Sequence, residues 1–177
     1  MATPQFNCLS FNGINNYLDC GKIDLSTFSN HEFTIEAWIN PIRGLDVVDI
    51  LSFSSDTIPA MRMGLDSSTS IRLHSLLFLT NIQNLWNTPS LTISYGRWQH
   101  CACVYGDHYN GTHKYVEIYI DGVCQYDCLI HPTNLVNTPF PSGMHDITIG
   151  CSAKNGVPSF FNGKISEVRV WNKVRTL

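Results

Sequence analysis

The sequence predicts an all-β fold in which two antiparallel sheets stack as a sandwich. Helix-forming residues are scarce: Ala and Glu together number nine, whereas Asn alone numbers fifteen. This composition favours strands joined by turns. The chain also contains about twelve short runs of strand character separated by turn residues, which is the pattern of a sandwich or a barrel. No segment has a convincing helical pattern.

Six of these runs lie in the first half of the chain. Asn12-Gly13 between the first two runs predicts a hairpin, and Cys8 and Cys20 would then face each other as a candidate disulfide. The third run alternates apolar and polar residues and stops at Pro41. The polar stretch 81–90 has no strand pattern and is predicted to be a loop. The six predicted strands cover 6–11, 17–20, 33–40, 47–53, 60–65 and 71–79.

The second half supplies six more runs. Asp121-Gly122 separates two of them and predicts a tight hairpin, because both turn positions favour positive φ. The polar segment 106–113 is predicted to be a loop. The six predicted strands cover 91–94, 97–105, 115–120, 123–130, 146–151 and 164–171.

Composition and charge exclude several classes of function. The 177 residues fit one domain, 1–177, although we leave open that it is the N-terminal domain of a longer protein. The net charge is −3 and the 11 basic residues are scattered, so we expect no nucleic-acid binding. No apolar run approaches the roughly 18 residues of a membrane helix, so we expect no membrane insertion.

The cellular compartment stays open at the level of the sequence. The N-terminus has no basic region and no apolar stretch, so no signal peptide is predicted. Seven cysteines cannot all pair within one chain, which favours a reducing compartment. The sequon Asn110-Gly111-Thr112 favours secretion instead. Both a cytoplasmic protein and part of a secreted or surface protein remain as alternatives.

Four segments carry a family resemblance. The segment 9–19 resembles the opening strand, turn and strand of the laminin-G-like, pentraxin-related jelly roll, and 33–39 resembles its first long core strand. The Trp98-Gln99-His100 strand with the hairpin that ends at Gly122 is similar to a later part of the family pattern. Residues 161–172 resemble the closing strand. The resemblance implies a jelly-roll β-sandwich of the concanavalin A-like lectin and laminin-G type.

The same segments predict a core. Trp38 and Trp98 would supply large buried areas, and Ile165, Val168, Val170 and Trp171 would fill the core from the closing strand. His100 is predicted to be a buried or half-buried hydrogen-bonding residue. Cys101 and Cys103 occupy positions that are commonly apolar in the family, so they are interpreted as small core residues.

The sequence argues against catalysis. Glucanases on this fold carry Glu-x-Asp-x-x-Glu on one strand face, and this chain has no such triplet. No Gly-x-Ser-x-Gly nucleophile motif occurs. A zinc site built from Cys124, Cys128 and neighbouring histidines is disfavoured, because the two cysteines would stand about 13 Å apart along one strand. We therefore expect no enzyme.

Calcium is the one cofactor that the resemblance suggests. Pentraxins and many laminin-G domains bind ligands through Ca²⁺ held at loops, and Ca²⁺ needs six to eight oxygen ligands. The loop at 53–57 offers one carboxylate, Asp56, and the loop at 151–156 offers none but contains Asn155. Asp56 and Asn155 with backbone carbonyls are therefore a weak candidate site.

The predicted loops contain groups that suit sugars. Amide and carboxylate side chains hydrogen-bond hydroxyls, and aromatic rings stack on C–H faces. The ordinary interpretations are turn-forming Asn residues and, for Trp86, an anchor against the sandwich edge. The candidate glycan-binding residues are Asn84, Trp86, Asn87, Asp107, His108, Tyr109, Asn110 and Asn155.

The leading functional prediction is a non-catalytic, lectin-like module that recognises glycans or glycoproteins through loop residues. The alternative is a protein-interaction or cell-adhesion domain of a larger extracellular or surface protein. A self-assembling homo-oligomer is a third alternative, because edge strands of a sandwich can pair between copies.

Overall fold

The computed structural model describes residues 7–28, 32–43, 47–54, 59–66, 72–79, 82–87, 93–107, 114–129, 143–152 and 159–175. Within these ranges it confirms the all-β prediction, since it contains fourteen strands and one 3₁₀ turn, Leu25–Thr27. No helix among these residues is long and apolar enough to cross a membrane. The strands are β1 Leu9–Asn12, β2 Leu18–Asp24, β3 Phe33–Pro41, β4 Val47–Ser54, β5 Pro59–Asp66, β6 Arg72–Leu79, β7 Ile82–Asn87, β8 Gln99–Asp107, β9 Lys114–Ile120, β10 Val123–Leu129, β11 Met144–Ile149, β12 Cys151–Ser152, β13 Ser159–Phe160 and β14 Asn162–Trp171.

Twelve of the strands form two six-stranded sheets. Sheet A has the order β1-β14-β3-β8-β9-β10, and sheet B has the order β2-β11-β4-β5-β6-β7. The strand pairs within both sheets are antiparallel. The short pair β12-β13 follows directly after β11. This is the two-sheet sandwich that the sequence predicts.

The core lies between the two sheets. In β3 alternate residues from Phe33 to Ile39 are buried, which is the pattern of a strand with one face on a core. Sheet B contributes buried residues of β4 and β5, such as Phe53 and Met63. Cys101 and Cys103 belong to the core, so their interpretation as small core residues is confirmed.

The prediction that Trp38 and Trp171 fill the core is wrong. Ala37 and Ile39 take the inward positions of β3, so Trp38 between them points to the outer face of sheet A, where its ring packs against His100. On β14, Trp171 also lies on the outer face, while Ile165 is in the core. Both tryptophans remain partly buried.

The predicted first hairpin is also wrong. β1 pairs with β14 in sheet A, whereas β2 pairs with β11 in sheet B. The chain therefore crosses between the sheets after Asn12, whose side chain accepts hydrogen bonds from three following backbone N–H groups. Cys8 directly precedes β1 of sheet A and Cys20 lies in β2 of sheet B, and both are free and exposed.

Other turns and strands differ in detail. Asp121 and Gly122 have φ values of 50° and 79°, as the predicted Asp-Gly hairpin requires. The predicted loop 81–90 contains the strand β7, and Ile93 and Ser94 are not in the strand predicted over 91–94. Backbone pairing with β6 makes β7 a strand even though its side-chain pattern does not alternate.

Candidate functional site

Three of the predicted glycan-binding residues lie in the edge strand β7 of sheet B. The register pairs Asn84 with Leu77, Trp86 with Ser75 and Asn87 with His74. These three positions therefore lie in a strand rather than in a loop, which corrects the sequence prediction. Alternation along the strand places position 87 on the face opposite to positions 84 and 86.

The other predicted residues divide between the sheets. Asp107 ends β8 in sheet A, where it pairs with Lys114. The residues that follow it, His108, Tyr109 and Asn110, lie outside the described residues. Asp56 and Asn155 also lie outside the described residues. Asp56 belongs to the connection after β4, a strand of sheet B, and Asn155 belongs to the connection after β12, which contacts β4.

The weak calcium site depends on two connections, one after β4 and one after β12. The N–H group of Gly150 donates to Ile50, four residues before Ser54 at the end of β4. Gly150, the residue before β12, therefore lies beside Ile50 in the middle of β4. No three His, Cys, Asp or Glu side chains of the described ranges cluster as metal ligands. Asp56 and Asn155 themselves lie outside the described residues, so the weak calcium site stays a prediction.

A charged pair occupies the outer face of sheet B. Asp49 of β4 is fully buried, and one of its oxygens lies 3.7 Å from a terminal nitrogen of Arg62 in β5. The Arg62 side chain is 17% exposed, and the neighbouring Ser52 and Thr148 are buried. The Nε of Arg62 is buried and has no hydrogen-bond partner.

Small polar groups surround this pair. Ser52 of β4 stands in register with Arg62 on one side and with Thr148 of β11 on the other. Thr148 Oγ1 donates to the carbonyl of Cys151 at 3.0 Å. Burial, and then the charge of Asp49, raises the pKa of the Cys151 thiol to about 11, so this thiol is neutral at physiological pH. We call Asp49, Ser52, Arg62 and Thr148 the Arg62 patch.

A second polar cluster lies on the outer face of sheet A. One carboxylate oxygen of Glu36 accepts from Trp171 Nε1 at 3.1 Å and lies 3.6 Å from Arg169. Its other oxygen lies 3.4 Å from His100 Nε2. His100 is half-buried as predicted, although its partner is on the outer face rather than in the core. Because strands on both sides supply its donors, Glu36 ties β14, β3 and β8 together.

The carboxylates of this sheet are engaged by donors rather than by each other. Glu117 accepts from the Tyr119 hydroxyl at 2.7 Å, and Glu167 pairs with Arg169. An acid and nucleophile pair on this fold requires two carboxyl groups about 5 Å apart on one face. The described contacts of Glu36, Glu117 and Glu167 do not include such a pair.

The side of the sandwich formed by β1 and β14 has an open groove of about 430 Å³. Leu9, Ile149, Ile165 and Val168 give it an apolar lining, and Cys8 and Glu167 stand at it. Glu167 has a φ of 53° at a bulge, where β14 shifts register against β3. The sequence alone gives no signal for this groove, because it depends on how far β1 extends along β14.

The sequence profile of the concanavalin A-like lectin/glucanases superfamily matches residues 12–177. The chain belongs to this superfamily. A search of curated protein sequences finds no match. The match covers nearly the whole described sandwich, from the end of β1 to the residues after β14, so the superfamily assignment and the topology agree.

Solved structures share the fold of this superfamily member at low identity. A heptameric SAP-like pentraxin from Limulus polyphemus has a TM-score of 0.65 at 16% identity, covering 94% of this chain and 76% of the pentraxin. The CBM40 module of a Ruminococcus gnavus IT-sialidase, bound to α2,3-sialyllactose, has a TM-score of 0.66 at 11% identity, covering 96% of this chain and 92% of the module. Domain 4 of the Geobacillus stearothermophilus arabinanase AbnA, in complex with arabinotriose, has a TM-score of 0.53 at 16% identity, covering 96% of this chain and 67% of that one.

Proposed function

We propose that this protein is a non-catalytic carbohydrate-binding module whose ligand contacts sheet B. The observation that carries the proposal is the attachment of the candidate residues to that sheet. Asn84, Trp86 and Asn87 are part of its edge strand, and the connections with Asp56 and Asn155 adjoin β4 and β12. Two proteins of the same fold hold oligosaccharides in their solved structures, which supports the same class of ligand here.

The chemistry of these residues suits a sugar. An indole offers a flat apolar face to pyranose C–H groups, and amides supply both donors and acceptors to hydroxyls. The segment Asp107 to Asn110 at the end of β8 would add a second, smaller contact region.

The carboxylates of sheet A support the part of the proposal that the module binds its ligand without catalysis. Glu36 accepts a hydrogen bond from Trp171 and lies within ion-pair distance of His100 and Arg169, and Glu117 and Glu167 each have a partner of their own. We therefore assign Glu36 a structural role.

The test is a glycan array followed by titration calorimetry on the best ligand, with and without Ca²⁺. Replacing Trp86 with Ala should weaken binding by about 10-fold or more, the typical cost of losing a stacking aromatic contact. Tyr17→Ala is the matched control, since Tyr17 is 54% exposed beside β2, at the opposite edge of sheet B from β7. An array without binding in either condition would contradict the proposal. Glycan binding that depends on Ca²⁺ would support the predicted Asp56 and Asn155 site.

A second candidate function, protein interaction, has one observation in its favour. Four large apolar residues near the start of the chain are exposed, namely Leu9, Ile14, Tyr17 and Leu18. A self-associating protein would lose its oligomer on Leu18→Ser when measured by light scattering. A wild-type monomer at high concentration would remove self-association from consideration.

A further inference from the structure

We propose that one end of the sandwich docks on the surface of an anionic phospholipid membrane. This docking would be a second function, in addition to the proposed carbohydrate binding by residues of sheet B. The contact is with the membrane surface only, since no helix of the described ranges is long and apolar enough to cross a membrane.

The end in question is the one where β1, β3 and β9 finish and β14, β8 and β10 begin. The antiparallel order of sheet A brings these strand ends into one row. Asn12 stands opposite Asn162 in that row, and the N–H group of Ile42 donates to the Asn162 carbonyl at 2.8 Å. The N–H group of Gly96 donates to the Pro41 carbonyl, also at 2.8 Å, which adds the connection before β8. The connections at this end are therefore neighbours in space.

Four of these connections each expose an apolar side chain. Ile14, after β1, is 72% exposed, and Ile42, after β3, is 55% exposed. Tyr95, before β8, and Val123, the first residue of β10, are also exposed. We call this end of the sandwich, marked by Ile14, Ile42, Tyr95 and Val123, the apolar end. Single exposed apolar side chains are ordinary, but four at one end of a sheet indicate a contact surface.

A membrane surface suits side chains that stand on separate connections. Polar residues such as Asn12 and Asn162 lie between them, so the four do not form one continuous apolar patch. A folded protein partner must match such a surface in shape. The fluid headgroup layer instead takes up separate apolar side chains, and the affinity grows with the apolar area that is buried. Tyr95 suits this layer because its ring is apolar and its hydroxyl is polar.

The charges at the apolar end favour an anionic surface. Arg43 directly follows Ile42, and Lys164 lies in β14 two residues after Asn162; both are exposed. The carboxylate that sheet A places at this end is Asp121, and Arg97 donates to it at 2.7 Å. That pair is neutral, so Arg43 and Lys164 leave the described part of this end of sheet A positive, although the whole chain has a net charge of −3.

These cations argue against the other occupants. A second copy docked on the same end by two-fold symmetry would bring Arg43 and Lys164 of both copies together, and like charges in an interface repel. A neutral glycan makes no use of either cation. Anionic lipids attract each of them, by about 5-fold in affinity for each Lys or Arg near the surface.

The experiment is flotation of the full chain with vesicles made of equal amounts of phosphatidylcholine and phosphatidylserine, compared with vesicles of phosphatidylcholine alone. The wild type should bind the anionic vesicles about 10-fold or more tightly than the neutral ones, and salt should weaken this binding. The double variant Arg43→Gln/Lys164→Gln should lose about 10-fold or more in affinity for the anionic vesicles. Ile42→Ser should lose about 5-fold or more, because less apolar area is buried.

Met144→Ser is the matched control for the apolar change. Met144 is 56% exposed and begins β11, whereas Ile149 at the other end of that strand is followed by Gly150, whose carbonyl accepts from the N–H group of Phe161. Met144 is therefore at the opposite end of the sandwich, and Met144→Ser should bind the anionic vesicles as the wild type does.

Four outcomes would overturn the docking. They are no binding of the anionic vesicles by the wild type, equal binding of both kinds of vesicle, an equal loss in Met144→Ser and Ile42→Ser, and an oligomer that light scattering shows to dissociate on Ile42→Ser. The last outcome would make the apolar end a self-association surface. Neither lipid carries a sugar, so each of these results would leave the proposed carbohydrate binding intact, and an empty glycan array would leave the docking intact.

Discussion

At the scale of single residues, the outer faces of the sheets hold groups that the sequence pattern assigns to the core. Trp38 and Trp171 are large and apolar, so burial is the natural expectation. Strand alternation overrides it, because Ala37 and Ile39 already occupy the inward positions. The polar partners explain how an outward Trp171 is tolerated, since Glu36 accepts its indole N–H.

Residue identities were most predictable where alternation and chemistry agreed. The inward position of Cys101 follows from the period of β8, and the structure confirms it. The ion pair of Arg62 was not predictable, because it depends on Asp49 of the neighbouring strand. No spacing in one strand reports which residue stands opposite in the next.

Cys151 makes stability dependent on alkaline pH. Its thiol has a pKa raised from 9.0 to about 11 by burial and then by Asp49. The folded state thus holds this proton more tightly than the unfolded state, and the resulting stabilisation is complete below pH 9 and is lost as the pH rises through 11. We expect the free energy of unfolding in urea to fall more steeply over this range in the wild type than in Cys151→Ala, by on the order of 1–2 kcal/mol.

The exposed Cys124 offers a control for this comparison. Cys124→Ala should keep the wild-type dependence of unfolding free energy on pH. Identical pH profiles for the wild type and Cys151→Ala would contradict the account.

At the scale of elements, close approach between strands from different parts of the chain fixes the sandwich edge. Gly150 joins β11 to β12 with a φ of 80°, and its N–H group bonds to Ile50. A Cβ atom at this position would overlap the ring of Phe11 in β1. The positions of the strands were largely predictable from the sequence, but the pairing partners of β1 and β2 were not. The same turn residues serve a hairpin within one sheet and a connection that crosses between two sheets.

Replacing Gly150 with Ala should therefore destabilise the protein through both strain and overlap. We expect a loss of about 3 kcal/mol or more, measured by urea unfolding. Gly21 separates the two causes, since it has a φ of 83° but nothing within 4 Å of an added Cβ. Gly21→Ala should lose only about 1 kcal/mol, the cost of the backbone conformation. Equal losses would contradict the overlap.

At the scale of the whole molecule, the sandwich separates the ion pairs of its two outer faces. The Arg62 patch and the Glu36 cluster lie on outer faces of different sheets, with a core layer of about 10 Å between the sheets. Changes on one face should therefore not alter contacts on the other.

The ion pairs on the two faces predict losses of different size for two charge-removing variants. Glu36→Gln should lower the free energy of unfolding by about 1–2 kcal/mol, because His100 and Arg169 lose their anionic partner, and leave glycan affinity unchanged. Arg62→Gln should lower the free energy of unfolding by about 3 kcal/mol or more, because the change leaves the buried Asp49 carboxylate without this cation. Calorimetry and urea unfolding on both variants check this, and loss of glycan affinity in Glu36→Gln would show that the two faces are coupled.

The sequence by itself determined the sandwich, most of its strands and the superfamily, because alternation and turn chemistry are local properties that the chain carries along its length. The tertiary structure alone decided which strands became neighbours, and therefore that β1 and β2 part, that Trp38 faces outward and that Asp49 stands beside Arg62. These are contacts between residues distant in sequence, and they depend on register and sheet order, which no local pattern specifies.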